Sequence, residues 1–211
     1  PSEGLCTADF LVRWVDHQAA TAVTVATGDL RLYRTEAFGA AALLLDVPFD
    51  PWPLGSSGPG GPIVTLSDRF EILQLNETGR LDRIMRIDAP PPALRPAVLE
   101  RAVMEYPRGT ANEGEIRRLF AGMEVRETMP TCDGLLVDAL GWPWAKRFQP
   151  FPEGRESWVV FDPSGVARGV FEGPEGVRIQ AVGEDVLAGV TTDPSGAERV
   201  VVHPFHRRVN R

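Results

Sequence analysis

The stretch Trp158-Val159-Val160-Phe161-Asp162-Pro163-Ser164-Gly165 decides the fold of this chain, and a second apolar run, Val166 to Phe171, follows it directly. The first four residues have the β-branched and aromatic side chains that are enriched in strands. An Asp side chain can accept hydrogen bonds from the backbone just ahead of it, and Gly can take the positive φ that closes a hairpin. The segment therefore predicts two antiparallel strands joined by a tight turn.

The same arrangement of an apolar strand, an Asx-x-x-Gly turn and a second strand occurs twice more. The turns of these copies are Asn76-Glu77-Thr78-Gly79 and Asp193-Pro194-Ser195-Gly196. A further strand precedes each hairpin, at 61–66, 134–138 and 177–182. One supersecondary unit that recurs about every 40–45 residues is typical of propeller blades. The sequence therefore predicts a mainly-β fold of β-propeller-like repeated blades, each with three or four antiparallel strands.

The repeats divide the chain into four blades within a single domain, 1–211. The predicted blades span approximately 7–50, 51–88, 131–173 and 174–206. The first blade is the least regular, because Gly39 and the run Ala40 to Ala42 blur the position of its turn. The 21 glycines and 19 prolines are spread along the whole chain, as many short strands require.

The segment 93–123 has the periodicity of helices instead of strands. Leu99, Val103 and Tyr106 recur at helical spacing after three consecutive prolines. Asn112, with Glu115 three residues later, is typical of a helix N-cap. The apolar residues of the second helix that share one side are Ile116, Leu119, Phe120 and Met123. We predict a two-helix insertion that either packs on the propeller as a cap or serves as a docking arm or lid.

Three segments carry a resemblance to a known family. They are Asp133-Gly134-Leu135-Leu136-Val137-Asp138, Ser157 to Gly165 and Val186-Leu187-Ala188-Gly189-Val190. Together they resemble a family of bacterial six-bladed β-propellers distantly related to the NHL-type propellers. The hairpin that begins at Glu71, followed by the proline-rich helical segment, extends the likeness to roughly 50–206.

The resemblance implies a fold more than a function, since its motifs are structural. Six blades of about 40–45 residues need more than 211 residues. The chain therefore resembles the C-terminal part of such a protein, or a shortened version of it. If earlier blades are absent, the exposed sheet edges must be covered by something else, which suggests a protein partner.

The composition excludes some classes of partner. A net charge of −7 and a pI near 5.1 argue against nucleic acid, because phosphate binding needs clustered Lys and Arg. Of the 22 basic residues, one is a lysine, Lys146. The longest apolar block, Phe38 to Leu45, is far shorter than the ~20 residues that cross a bilayer, so membrane contact is peripheral at most. The chain begins at Pro1, which is compatible with removal of an export signal.

Candidate reactive and metal-ligating residues are few. Cys6 and Cys132 leave two alternatives open, one disulfide or two thiols. His203 and His206 are three residues apart, and on an extended chain this spacing points their rings to opposite faces. His17 has no companion ligand at a suitable spacing. The sequence therefore predicts neither a metal site nor a cofactor.

No motif for nucleophilic catalysis is present, since the chain has no Gly-x-Ser-x-Gly, and Ser56, Ser57, Ser164 and Ser195 lie in turn contexts. Propeller lactonases and lyases use Asp, Asn, Glu or His around a metal in the central tunnel. Asp68, Asp133 and Asp138 are candidates for that chemistry, but the simpler interpretation is that they end strands or satisfy turns.

Two clusters of aromatic residues and prolines are the candidate binding surfaces. The first is Pro48 to Leu54 and the second is Gly141 to Phe148. The candidate partner-binding residues in them are Trp52, Trp142, Trp144, Arg147 and Phe148. Rigid aromatic side chains beside Arg are favoured at binding hot spots. Packing between blades and contact with a membrane interface are the alternative interpretations.

These observations favour a non-catalytic interaction or scaffold protein. We expect an exported, periplasmic or otherwise extracytoplasmic chain that is peripheral to the membrane. It would be an extrinsic subunit that contacts other protein subunits of a larger, membrane-associated and energy-converting complex. The alternative is a metal-dependent propeller hydrolase or lyase with a site in the central tunnel. A third interpretation is a ligand-binding propeller without a partner, which would have a deep polar pocket.

Overall fold

The computed structural model describes residues 4–16, 21–35, 43–76, 78–106, 112–151 and 154–207. Across these ranges the chain forms fourteen strands in four antiparallel sheets, together with two helices. The predicted mainly-β fold is therefore confirmed. His17 lies outside the described residues.

Each sheet is built from strands that follow one another in the chain. Sheet 1 comprises β1 (Gly4–Asp16), β2 (Thr21–Thr35) and β3 (Leu43–Asp46). Sheet 2 comprises β4 (Leu54–Gly58), β5 (Gly61–Thr65), β6 (Glu71–Leu75) and β7 (Leu81–Arg86). Sheet 3 comprises β8 (Cys132–Val137), β9 (Pro143–Arg147), β10 (Ser157–Phe161) and β11 (Ala167–Glu172). Sheet 4 comprises β12 (Val177–Val182), β13 (Val186–Thr192) and β14 (Glu198–Pro204), and the helices are α1 (Pro96–Glu105) and α2 (Glu113–Gly122).

The predicted hairpin turns have the hydrogen bonds that their residue types favour. Asp162 Oδ1 accepts the backbone N–H groups of Ser164 (2.8 Å) and Val166 (3.0 Å), and the glycine that ends this turn has a φ of 86°. Asn76 and Asp193 accept the corresponding pairs of N–H groups in the other two turns. Each turn is therefore stabilised by its own residues, whatever the sheet packs against.

We expect part of the stability to be lost between about pH 4 and pH 2 because of the Asp162 turn. Burial opposes ionisation of this carboxyl group, but hydrogen bonds from Ser164, the Val166 N–H and Arg168 lower its pKa to about 2. A carboxyl group whose folded-state pKa is lowered contributes stability that is present above the unfolded value. That contribution disappears as the pH falls through the folded value.

Urea denaturation of the wild type and of Asp162→Asn across this pH range measures the contribution. Asn keeps an oxygen that can accept the turn hydrogen bonds but has no charge to pair with Arg168, whose Nη2 lies 2.5 Å from Asp162 Oδ2. The stability of the variant should therefore depend less steeply on pH between about 4 and 2. Parallel pH profiles for the two proteins would contradict the prediction.

Sheet 3 lies between sheet 2 and sheet 4. Its central strands have apolar side chains on both faces, and each neighbouring sheet buries one of these faces. On one face, Ala145, Val159 and Phe161 pack against Ile63, Ile72 and Met85 of sheet 2. On the opposite face, Leu136, Trp144 and Trp158 pack against Val177, Ile179, Val182 and Leu187 of sheet 4. Sheets 2, 3 and 4 therefore stack face to face in chain order.

The first strands of the stacked sheets are neighbours, since β4 and β12 both contact β8. β4 and β8 approach closely at Gly58, where a Cβ atom would lie 2.8 Å from the Cβ of Val137. Only glycine leaves room for this approach.

The predicted helical segment forms two helices, α1 and α2. Asn112 and Glu115 make reciprocal side-chain to backbone hydrogen bonds at the start of α2, which is a capping box. The apolar side of α2 is buried, as predicted, and it packs in two directions. Ile116 and Phe120 contact Val103 of α1. Leu119 and Met123 pack with sheet 1. α2 therefore joins α1 to sheet 1.

Candidate binding surfaces

Trp142 and Trp144 line a cavity of about 320 Å³, which we call the aromatic cavity. Sheet 3 and the segment that follows β14 provide its walls. Its other lining residues are Val160, Arg168, Gly169, Val170, Phe171, Phe205, His206 and Arg207. A cavity of this size is at the lower end of the range for small-molecule sites.

Three rings of the aromatic cavity contact one another edge to face. The centroid of Trp144 lies 5.4 Å from that of Phe171 and 5.7 Å from that of Phe205, and the two phenylalanine centroids are 5.5 Å apart. This arrangement is the one that aromatic quadrupoles favour, so it fixes the orientation of all three rings. Trp144 is only 1% exposed, so it belongs to the buried wall of the cavity and is not on the outer surface.

The carboxylate of Asp138 holds the walls of the cavity together. Its Oδ1 accepts the backbone N–H groups of Leu140 and Trp142, both at 2.9 Å. Its Oδ2 accepts Trp144 Nε1 at 2.9 Å and a hydrogen bond from Arg207 Nη2. Asp138 is fully buried, and it links the β8–β9 turn to the end of the described chain.

Arg207 brings a positive charge to the wall of the cavity. Its guanidinium carbon lies 4.3 Å from the ring centroid of Trp142, which is a cation–π distance. One of its nitrogens binds Asp138, but Nε and Nη1 are buried and have no hydrogen-bond partner. Phe205 and Arg207 could not be identified from the sequence, because no local pattern connects the end of β14 with Trp142 and Trp144.

Trp52 and Phe148 come from different predicted clusters but line the same second cavity, of about 270 Å³. Trp52 is 47% exposed. The ring of Phe148 packs edge-on against Phe49, with centroids 6.2 Å apart. The backbone N–H of Trp52 donates to Ser67 Oγ, and the same hydroxyl donates to the Trp52 carbonyl, both at 3.0 Å. The backbone of this exposed tryptophan is thus held in place by the connection between β5 and β6.

A buried carboxylate also lies at the second cavity. Burial raises the pKa of Asp50, and the guanidinium groups of Arg31 and Arg126 oppose that rise. Both arginines lie 3.3 Å from Asp50 Oδ1. The remaining predicted residue, Arg147, is exposed at the end of β9 and lines neither cavity. Four of the five predicted partner-binding residues are therefore divided between the two cavities, and Arg147 lies at neither.

Sheet 4 presents an apolar surface on the side that faces away from sheet 3. The residues of this surface, which we call the outer valine face, are Val186, Ala188, Val190, Val200 and Val202. They share a face because Val190 pairs with Val200 and Ala188 pairs with Val202 in the β13–β14 register. Val200 is 77% exposed and Val202 is 63% exposed. Exposed apolar residues in adjacent strands are typical of an interaction surface.

The two cysteines are both free thiols, so the disulfide between Cys6 and Cys132 is not formed. Cys6 lies on β1, where its thiol donates to the Leu32 carbonyl at 3.3 Å. Cys132 lies in the core between sheets 2 and 3, and burial raises its pKa to about 11. The two thiols belong to different packing units. The number of cysteines does not show this, so it could not distinguish a disulfide from two thiols.

Lys146, the one lysine of the chain, lies 3.2 Å from Asp133 Oδ1 and 3.5 Å from Glu156 Oε1. Burial raises the pKa of Asp133, and the Lys146 ammonium group opposes that rise. Glu156 Oε2 accepts Trp158 Nε1 at 3.1 Å and the backbone N–H of Ile179 at 2.9 Å. This charged cluster therefore connects sheet 3 to sheet 4.

The three carboxylates considered for tunnel-metal chemistry each have a structural partner. Asp68 lies 3.9 Å from the Arg69 guanidinium group, Asp133 pairs with Lys146, and Asp138 accepts the hydrogen bonds described above. Within the part of the chain that the structure describes, no group of three or more His, Cys, Asp or Glu residues could hold a metal ion.

Comparison of the chain with models of protein families, with curated proteins and with solved structures found no match. A search of the described helices for one long and apolar enough to cross a membrane found none.

Proposed function

We propose that sheets 2, 3 and 4 are blades of a β-propeller-like protein that acts through its surface, as a non-catalytic interaction or scaffold subunit. Three features support the propeller interpretation. Each sheet is an antiparallel meander, the sheets stack in chain order, and their first strands are neighbours. These features are typical of consecutive blades.

The outer valine face is the observation that carries the proposed role. Sheet 3 buries apolar side chains on both of its faces, one against sheet 2 and the other against sheet 4. Sheet 4 buries one apolar face in the same way, whereas Val200 and Val202 on its other face remain exposed. An exposed apolar strand at a sheet edge favours pairing or packing with another chain unless it is covered.

The partner that fits this face is a further antiparallel sheet with an apolar surface, supplied by another protein subunit. It would pack on sheet 4 as sheet 4 packs on sheet 3, so the new contact continues an interface that the chain already uses. The ion pair of Arg178 and Glu198, at 2.8 Å, lies at one end of the face and would form part of a polar rim.

The setting that we propose is the periplasmic side of a membrane-associated, energy-converting complex, with this chain as an extrinsic subunit. This part of the proposal extends the sequence-based expectation of an exported chain with missing blades, a helical insertion and loops rich in tryptophan and proline. Identification of the subunits that migrate with the chain tests it.

The experiment compares the wild type with the double variant Val200→Lys/Val202→Lys in the native source. We expect the wild type to migrate in a particle much larger than 23.1 kDa after gentle detergent extraction and size fractionation. The double variant should migrate at about its own mass, because two charges on the outer valine face cannot be buried against an apolar sheet. Mass spectrometry of the wild-type particle then identifies the partner subunits.

Val166→Lys is the matched control, since Val166 is also an exposed valine but follows the turn between β10 and β11. It should leave the particle intact. Substitutions at such exposed positions usually change stability by about 0.5 kcal/mol or less, so circular dichroism should show all three proteins folded. A wild-type chain that migrates alone, or a double variant that stays in the particle, would overturn the proposed function.

A further inference from the structure

The second cavity is lined by three aromatic residues that all keep accessible surface. Trp52 is 47% exposed, and Phe49 and Phe148 are half-buried. The other apolar residues of the lining, which is mainly apolar, are Val47, Pro48 and Pro51. A small ligand can therefore contact the aromatic residues without displacing the core. None of the lining residues belongs to sheet 4, so what this cavity binds is independent of the outer valine face.

The backbone of Phe49 is strained. Its φ is 61°, in the left-handed region, which is rare for a residue with a bulky side chain. Phe49 occupies a turn closed by the Asp50 N–H, which donates to the Val47 carbonyl at 3.2 Å. A positive φ in such a turn normally calls for Gly or Asn. Strained residues of this kind cluster at sites that bind ligands, because they preorganise the site.

The charges at the cavity favour a cation. Asp46 is exposed, and its side chain forms no hydrogen bond or ion pair with another residue that the structure describes. Arg31, the basic residue among the described lining residues, is already bound. Its Nη1 lies 3.3 Å from Asp50 Oδ1, and its Nη2 donates to the Glu124 carbonyl. The described lining therefore offers a free carboxylate and no free positive charge.

Aromatic rings attract cations through their quadrupole, and tryptophan does so most strongly. We propose that the second cavity binds the alkylammonium group of a small organic cation. The alkyl groups of the ligand pack against Trp52, Phe49 and Phe148, and its charge is attracted by the Asp46 carboxylate. Such a group suits this lining better than a metal ion, because its alkyl surface is stabilised by burial against apolar side chains.

Two probes of the same shape test this inference on the full chain. Choline has a trimethylammonium group, and in 3,3-dimethyl-1-butanol a neutral carbon replaces the nitrogen. Saturation-transfer NMR on the methyl groups of each probe measures its Kd, with sodium chloride added to keep the ionic strength constant. We expect a Kd about 3- to 30-fold lower for choline, which is the range that a cation–π contact supplies.

The indole N–H signals of the protein locate the bound cation. Choline should shift the signal of Trp52, which lines the second cavity. It should leave the signals of Trp144 and Trp158 in place, because these buried indoles donate to Asp138 and Glu156 in the interior.

Three variants identify the groups responsible. Trp52→Leu keeps the site apolar but removes the indole ring, so it should remove the preference for choline. Asp46→Asn removes the free charge and should weaken choline binding several-fold without changing the affinity for the neutral probe. Asp82→Asn is the matched control, since it removes an exposed carboxylate from β7, and it should change neither affinity.

Equal affinity of the wild type for the two probes would overturn the inference, as would the absence of a Trp52 shift at millimolar choline. An effect of Asp82→Asn as large as that of Asp46→Asn would also overturn it, because the attraction would then be nonspecific. If Trp52→Leu fails to fold, Asp46→Asn and the comparison of the two probes on the wild type still decide the question.

The same cationic group occurs on free solutes and on lipid headgroups. Sedimentation with phosphatidylcholine vesicles distinguishes the two sources, because a chain that binds the headgroup would sediment with the vesicles. A chain that binds choline and stays in the supernatant takes its ligand from solution.

Discussion

Asp138→Ala is expected to lower the free energy of unfolding by about 3–5 kcal/mol, because it leaves a largely buried guanidinium group without its counter-charge. The guanidinium carbon of Arg207 lies 4.3 Å from the ring centroid of Trp142, and its side chain is only 12% exposed. The substitution also removes the acceptor of the Leu140 N–H, the Trp142 N–H and the Trp144 indole N–H. A buried donor left unsatisfied costs about 1–3 kcal/mol, so the total is expected at the upper end of the range.

Urea denaturation followed by circular dichroism measures this change. Asp82→Ala is the matched control, since Asp82 is exposed on β7, and its free energy of unfolding should change by about 0.5 kcal/mol or less. A loss below about 1 kcal/mol for Asp138→Ala would show that the β8–β9 turn and the end of the chain are stable without this carboxylate.

Gly61→Ala is expected to lower the free energy of unfolding by about 3 kcal/mol or more, since two costs add at this position. Gly61 has a φ of 96°, a conformation in which an L side chain is strained. A Cβ atom there would also lie 2.3 Å from the carbonyl oxygen of Leu75. That oxygen belongs to the backbone of β6, so the overlap can be relieved only by moving strands within sheet 2.

Gly196→Ala separates the two costs. Gly196 has a φ of 85°, but a Cβ atom there meets nothing within 4 Å. This control should lose only the conformational cost, about 1–2 kcal/mol. Similar losses for the two variants would mean that sheet 2 adjusts to the extra methyl group, and that the close contact at Gly61 does not limit its stability.

The features that sequence analysis predicted well are those that depend on neighbouring residues. The turn at Asp162 is determined by an Asx side chain, the next few N–H groups and one glycine, all within five residues. The start of α2 is determined in the same way by Asn112 and Glu115. Local hydrogen bonds of this kind are independent of how the sheets pack, and therefore they can be inferred without a structure.

The aromatic cavity could not be predicted in full, because it joins residues that are far apart in the chain. Trp142 and Trp144 were identified as candidates, but Arg207 is 69 residues away from the carboxylate that binds it. Trp144 was a candidate for a binding surface, but its side chain is buried. An aromatic residue beside a proline does not itself indicate whether its side chain is buried or exposed. Sequence alone does not say which face of β9 is covered.

The outer valine face also could not be predicted from the sequence. Val200, Val201 and Val202 are consecutive, so the alternation that would separate a buried face from an exposed one is absent. In the structure Val201 packs against the core of sheets 3 and 4, whereas its two neighbours are exposed. The register in which β14 pairs with β13 determines which of these valines is buried, and that register is a tertiary feature.

The ion pairs of Lys146 have a practical consequence for mapping any partner by chemical labelling. The chain has a single lysine side chain, and that side chain is only 21% exposed and lies between two carboxylates. Amine-selective cross-linkers would therefore capture few neighbours even from an intact assembly, and a negative result with them would carry little weight. Carboxyl-directed reagents, or a photoreactive residue placed at position 200, would report contacts that lysine chemistry does not detect.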